Sequence, residues 1–157
     1  MSRYIIVVAV CLFAACGVPD EGAVGETEAA LVGCNLSCPV GMHPTGYSFD
    51  AQCGWVRNVD GNNKAACQAD VGANFSTCGR SCPSGYHPTS YSGTWSCGSV
   101  RDRDGNNQTF CALDAGLSFR SCGLTCPAPY RAKSYSGNSS CGSIRDWNGN
   151  NEVTCQK

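Results

Sequence analysis

Apolar residues come in one continuous block near the start of this chain and afterwards only in scattered positions. Tyr4 to Ala15 is an unbroken apolar run, too short to cross a bilayer and of the length expected for the apolar core of a secretory signal. Residues 17–33 show no apolar period and predict a flexible tether rather than an element. Beyond Cys34 the apolar side chains are few. In the stretch 78–111 they are Tyr86, Tyr91, Trp95, Val100 and Phe110, apart from cysteine. Asp60-Gly61, Asp104-Gly105 and Asn148-Gly149 tolerate the positive φ of tight hairpin turns, so the second half of each stretch predicts a β-hairpin. Pro39, Pro44, Pro83 and Pro88 punctuate the first halves and favour extended or turning chain over helix. Val71 and Phe75, then Leu113, Leu117 and Phe119, make the intervening segments more hydrophobic than free linkers. They predict either a strand added to the following stretch or a contact between neighbours.

These stretches are copies of one another. Their cysteines recur at a fixed offset of 44: Cys34/Cys78/Cys122, Cys38/Cys82/Cys126, Cys53/Cys97/Cys141 and Cys67/Cys111/Cys155. A fixed period of this length marks a tandem array. Units spanning 34–67, 78–111 and 122–155 are below the size that an apolar core alone can hold. With 14 cysteines in 157 residues, the expected fold is small, disulfide-rich and all-β, with three tandem repeats that each hold a β-hairpin stapled by two disulfides. If Asp104-Gly105 is the whole turn, Cys97 and Cys111 project from opposite faces and cannot pair. Crossed or nested pairing of first-half with second-half cysteines is then expected, and sequence does not choose between the two. A three-residue loop would revive pairing of Cys97 with Cys111.

The leader opens on Arg3 and ends in Leu12-Phe13-Ala14-Ala15-Cys16. Small residues just before a cysteine resemble the lipobox of bacterial lipoproteins, a resemblance confined to residues 1–16, with Phe13 standing where such boxes more often carry Leu. It implies that residues 1–15 are removed, that Cys16 is lipidated, and, with Gly17 following, that the protein is placed in the outer membrane or at the cell surface. Cysteine arithmetic agrees: setting aside Cys11 and Cys16 leaves twelve, an even number. Plain secretion after an ordinary signal peptide is the alternative. Residues 16–33 would be an acidic tether carrying Asp20, Glu21, Glu26 and Glu28, reaching roughly 55–60 Å at full extension.

Residues 34–157 hold ten Lys/Arg against eight Asp/Glu, spread over all three units. No basic patch arises, and nucleic acid is not an expected partner. Besides cysteine, the three copies share Tyr47/Tyr91/Tyr135, Arg57/Arg101/Arg145 and the amides of Asn62/Asn106/Asn150, each followed by a second Asn. A ring, a guanidinium and an amide suit a neutral polar ligand such as a sugar, so these nine residues are the candidate binding positions. Alternatively Tyr packs on the disulfides, Arg pairs with Asp102 or Asp146, and the Asn residues only shape a turn. Asp102 and Asp104 form a weak calcium candidate without a closing glutamate, and the cysteines suit zinc less well than disulfides. His43 and His87 have no evident carboxylate partner, and the third copy has Arg131 there. No catalytic apparatus, cofactor or resident metal is expected. The expected function is trivalent binding of an extracellular ligand, a glycan or a protein, by a membrane-anchored array. A structural cell-envelope or matrix protein is the alternative, and a secreted hydrolase the third.

Overall fold

The computed structural model describes residues 31–157. The leader, Cys11, Cys16 and the tether as far as residue 30 lie outside the described residues. The chain forms three antiparallel three-stranded sheets, one per repeat. The first contains β1 (Leu31–Gly33), β2 (Met42–Ser48) and β3 (Lys64–Ala69) in the order β1-β3-β2. The second contains β4 (Asn74–Cys78), β5 (Tyr86–Ser92) and β6 (Gln108–Leu113) in the order β4-β6-β5. The third contains β7 (Ser118–Cys122), β8 (Arg131–Ser136) and β9 (Glu152–Gln156) in the order β7-β9-β8. The segment before each first cysteine supplies an edge strand, with Phe75 opposite Cys111 and Phe119 opposite Cys155. This is the added strand that the apolar linkers predict. A structural unit therefore begins at Asn74 rather than Cys78, and the last residues of the expected tether, Leu31–Gly33, pair with β3. Pro44 and Pro88 sit on edge strands, where the missing N–H costs no ladder bond, and a bulge follows each of them.

The central strand of each sheet alternates around its half-cystine. Thr109 and Cys111 of β6 are buried while Phe110 between them is exposed, and Val153 and Cys155 repeat the pattern in β9. Among the described residues, seven of the ten buried hydrophobic residues are half-cystines, with Ala65, Tyr130 and Val153 the other three. Sulfur thus fills most of the apolar interior. Trp95 and Val100 are 84% and 66% exposed, so the sparse apolar residues of the second copy do not form its core. The bridges are Cys34–Cys53, Cys38–Cys67, Cys78–Cys97, Cys82–Cys111, Cys122–Cys141 and Cys126–Cys155. Pairing is crossed in every unit, and the twelve cysteines of the repeats are all consumed.

The Asp-Gly pair is the tip of a loop inside the hairpin, not its two-residue turn. Asp102 N–H donates to Asn106 O at 2.9 Å and Gly105 N–H to Asp102 O at 3.0 Å, so residues 103–105 make the tip. A three-residue loop does not bring Cys97 to Cys111 here, because Cys97 lies in a 3-10 turn, Trp95–Cys97, instead of a strand. The hairpin strands are β5 and β6, and the whole segment 93–107 connects them.

Neighbouring units are joined by one set of contacts used twice. The buried His43 ring stacks on Phe75 of the next unit with centroids 4.0 Å apart, and His87 stacks on Phe119 at 3.9 Å. Each histidine has a carboxylate partner that its local sequence does not show: His43 Nδ1 lies 2.8 Å from Asp70, and His87 Nδ1 lies 2.9 Å from Asp114. Tyr86 Oη donates to Gly72 O and Tyr130 Oη to Gly116 O, both at 3.0 Å. On the loop side the Asp60 carboxylate accepts from the N–H of Ser99 at 2.9 Å and from its hydroxyl, and Asp104 accepts likewise from Ser143. Gly98 and Gly142 leave room for these carboxylates, since a Cβ at either would collide with them. The copies differ at these same positions. Trp55 stands in the first copy where Ser99 and Ser143 stand, while the third has Asn148 for Asp104 and Arg131 for His87.

The Ser99 hydroxyl and then its N–H hold the Asp60 carboxyl below the ordinary carboxylate range, and Ser143 does the same for Asp104. Folded pKa values lie below the unfolded value of about 3.9, so this stabilisation is complete above that value and is lost as pH falls through the folded ones. The melting temperature should hold from about pH 7 to 5 and fall below about pH 4. An Asp60→Asn/Asp104→Asn variant should melt lower at pH 7 and show a shallower acid slope. Some slope should remain from Asp50 and Asp146, whose pKa values are also lowered. An unchanged acid slope in the variant would remove these two contacts from the account.

Candidate functional site

The loop between each pair of hairpin strands is built by side chains that bond its own backbone. Asp102 Oδ1 accepts from the N–H groups of Asp104 at 2.9 Å and Asn106 at 2.8 Å, and Asn58 and Asp146 do the same in their units. The second asparagine of each pair is an internal strut. Asn107 is buried, its Oδ1 accepts from Thr94 N–H at 2.8 Å, and its Nδ2 donates to Thr94 O at 2.9 Å and Gly98 O at 2.6 Å. Asn63 and Asn151 repeat these bonds. The retained amide pair thus divides its work: the second residue holds the loop, and the first stays at its surface.

The candidate residues of one copy do not gather into a site of that copy. They gather across the junctions. A cleft of about 510 Å³ is lined by Leu36 and Tyr47 of the first unit together with Arg80, Val100, Arg101 and Asn106 of the second. A cleft of about 380 Å³ is lined by Arg80 and Tyr91 of the second unit together with Leu124, Ile144, Arg145 and Asn150 of the third. Position for position the two sets are 44 residues apart. Arg57 stands outside both clefts, with its guanidinium 3.8 Å from the Phe49 ring. Tyr135 is half-exposed on the third unit, outside both.

Within the clefts Arg101 Nη1 donates to Gly105 O and Arg145 Nη1 to Gly149 O, each at 2.8 Å. The retained arginines therefore lie along their own loops instead of pairing with Asp102 or Asp146. Gly93 and Gly137 make this possible, because a Cβ at either would collide with the guanidinium. Phe49 occupies that position in the first copy, and Arg57 stacks on it instead. Arg80 has its guanidinium 4.0 Å from the Tyr91 ring and pairs with Asp102. Partial burial raises the Tyr47 pKa, which keeps its hydroxyl neutral as donor and acceptor at ordinary pH.

Sequence reasoning missed Val56/Val100/Ile144, an aliphatic position kept in all three copies and exposed in all three. An aliphatic residue next to the retained arginine in every copy was the available signal. The calcium candidate comes apart: Asp102 turns to its own loop and Arg80, and Asp104 reaches across to Ser143. Among the described residues no group of three His, Cys, Asp or Glu side chains could hold a metal ion. The cysteines are committed to disulfides rather than available as zinc ligands.

No family model matches the chain, and no curated protein or solved structure is detectably similar to it.

The division of labour within the amide pair has a direct test. Asn107→Ala removes three bonds from a buried side chain to loop backbone and should lower unfolding free energy by about 2–4 kcal/mol, whereas Asn106→Ala should cost less than about 1 kcal/mol. Equal losses in chemical denaturation would contradict the assignment.

Proposed function

We propose that the protein is an exported, lipid-anchored binding module that takes a neutral polar ligand, carbohydrate in the first instance, in its two junction clefts. The observation that carries this reading is the recurrence of one lining at both junctions: a tyrosine from one unit, and an aliphatic side chain, an arginine and an asparagine from the next. A partly exposed ring and an aliphatic wall suit the C–H face of a sugar, while the guanidinium and amide suit its hydroxyls. Because each cleft needs two units, the array offers two composite sites where the sequence suggested three.

Anchoring through Cys16 remains part of this proposal. The six bridges account for twelve cysteines and leave Cys11 and Cys16, the two assigned to the leader, and the bridges suit an oxidising compartment. A non-enzymatic role fits the histidines, which are 2% and 4% exposed beneath phenyl rings. The second reading, a structural envelope protein, draws on the paired contacts at each junction, which would equally make a stiff rod.

A glycan array probed with the detergent-solubilised full chain separates the two. Retention of neutral glycans is expected, weakened at least about tenfold in an Arg101→Gln/Arg145→Gln variant that melts as the parent does. No retained glycan, together with unchanged cell-envelope behaviour in cells carrying that variant, would reject binding in favour of the structural role.

A further inference from the structure

The two clefts are not separate. A depression lined by Tyr91, Asp104, Asn106, Ser143 and Arg145 lies between them, sharing Asn106 with the first cleft and Tyr91 and Arg145 with the second. Arg80 lines both clefts directly. The three hollows thus share lining residues across both junctions. We propose that they form one groove that binds a single linear neutral glycan running across all three repeats, instead of two independent small sugars. The proposal rests on the carbohydrate reading above and adds to it the length, the charge and the number of ligands bound.

The charge follows from how the groove's ionic groups are used. Asp102 pairs with Arg80, Asp104 is taken by Ser143, and Asp146 accepts from the backbone and side chain of Asn150. Arg101 and Arg145 each give one N–H to a loop carbonyl, Arg101 also lies 5.1 Å from the Trp95 ring, and the remaining donors of both forks have no hydrogen-bond partner among the described residues. These donors suit hydroxyl and ring oxygens, and the nearby carboxylates disfavour an anionic chain.

An extended peptide fits less well. Peptides of that kind add to a sheet edge through the backbone ladder. The groove is walled mainly by the loops, whose main-chain N–H groups are already spent: those of Asp102 and Gly105 within the loop, those of Asp104 and Asn106 on Asp102 Oδ1, and that of Ser143 on Asp104. What the groove presents is side chains, namely two tyrosines, Val100 and Ile144, and the arginines and amides between them.

Titration calorimetry of the full chain in detergent, with cellobiose and cellohexaose and with their N-acetylglucosamine counterparts chitobiose and chitohexaose, tests this. The disaccharide that binds should do so at two sites per chain. The corresponding hexasaccharide should bind once per chain and at least about tenfold more tightly, because its second contact becomes intramolecular. Tyr47→Ala or Tyr91→Ala should each remove one disaccharide site and most of the hexasaccharide's advantage, in proteins whose melting is unchanged. Two hexasaccharides per chain, at disaccharide affinity, would overturn the single-ligand groove while leaving the two-cleft reading in place. Binding of none of the four probes would overturn both for this class of glycan.

Discussion

The bridge from Cys82 to Cys111 ties the loop after β4 to the centre of β6, where a larger protein would place a leucine or a phenylalanine. Its companion from Cys78 to Cys97 fixes the end of the same edge strand to the 3-10 turn inside the hairpin connection. Closing loops of 19 and 29 residues limits the unfolded chain by an amount worth about 3–4 kcal/mol each in the chain-entropy description. Units with so little buried hydrocarbon have few other sources of that size. The crossed arrangement also has a geometric effect. With both ends of the connection 93–107 tied down, its side chains are presented in the same way in each copy, and anything built on them is built repeatedly.

That repetition explains why the clefts lie between units. A single module has hollows of its own, such as that lined by Pro129, Arg131 and Lys157, but the hollow walled by the retained tyrosine, arginine and asparagine is not among them. Two modules set side by side create it, and the contacts that set them are directional: the earlier unit offers His43, Asp60 and Asp70, and the later one offers Phe75, Tyr86 and Ser99. The third copy alters the offering side at Arg131 and Asn148, and the first alters the receiving side at Trp55. Residues that look like drift among copies are therefore position-specific. The clefts themselves also differ. Arg80 stands where the first unit has Leu36, and Leu124 stands where the second has Arg80, so the two ends of the groove are alike in plan and unlike at the rim.

The cysteine offset was enough to read the array, and the prolines with the Asp-Gly and Asn-Gly pairs were enough to read its β character. Crossed or nested pairing was expected from a two-residue turn that the loop does not have, so the pairing holds on other grounds: Cys97 lies in a 3-10 turn. Phe75 and Phe119 were enough to suspect an extra strand. The reasoning failed where side chains act on backbone. Asp104-Gly105 carries the chemistry of a two-residue hairpin turn, but Asp102 captures the amides of Asp104 and Asn106 and closes a smaller loop first. The composite nature of the clefts was illegible for a different reason. Comparing copies shows which residues recur, but not that Tyr47 meets the arginine of the next copy rather than its own, since that depends on which faces abut. Asp70 and Asp114 were missed as histidine partners because they lie 27 residues away along the chain. Val100 counts in the sequence only as one of a few apolar side chains, whereas in the fold it faces solvent beside Arg101.

Everything in the account requires that sulfur bridges, not an apolar interior, hold each unit. Alkylation of the native protein with and without reductant, read by intact mass and followed by a thermal melt, tests this most directly. The account predicts no label on the twelve repeat cysteines before reduction, full labelling after it, and loss of the cooperative melt once they are reduced. Labelling of most of these thiols in the untreated protein, or a reduced and alkylated chain that still melts cooperatively at the original temperature, would contradict it.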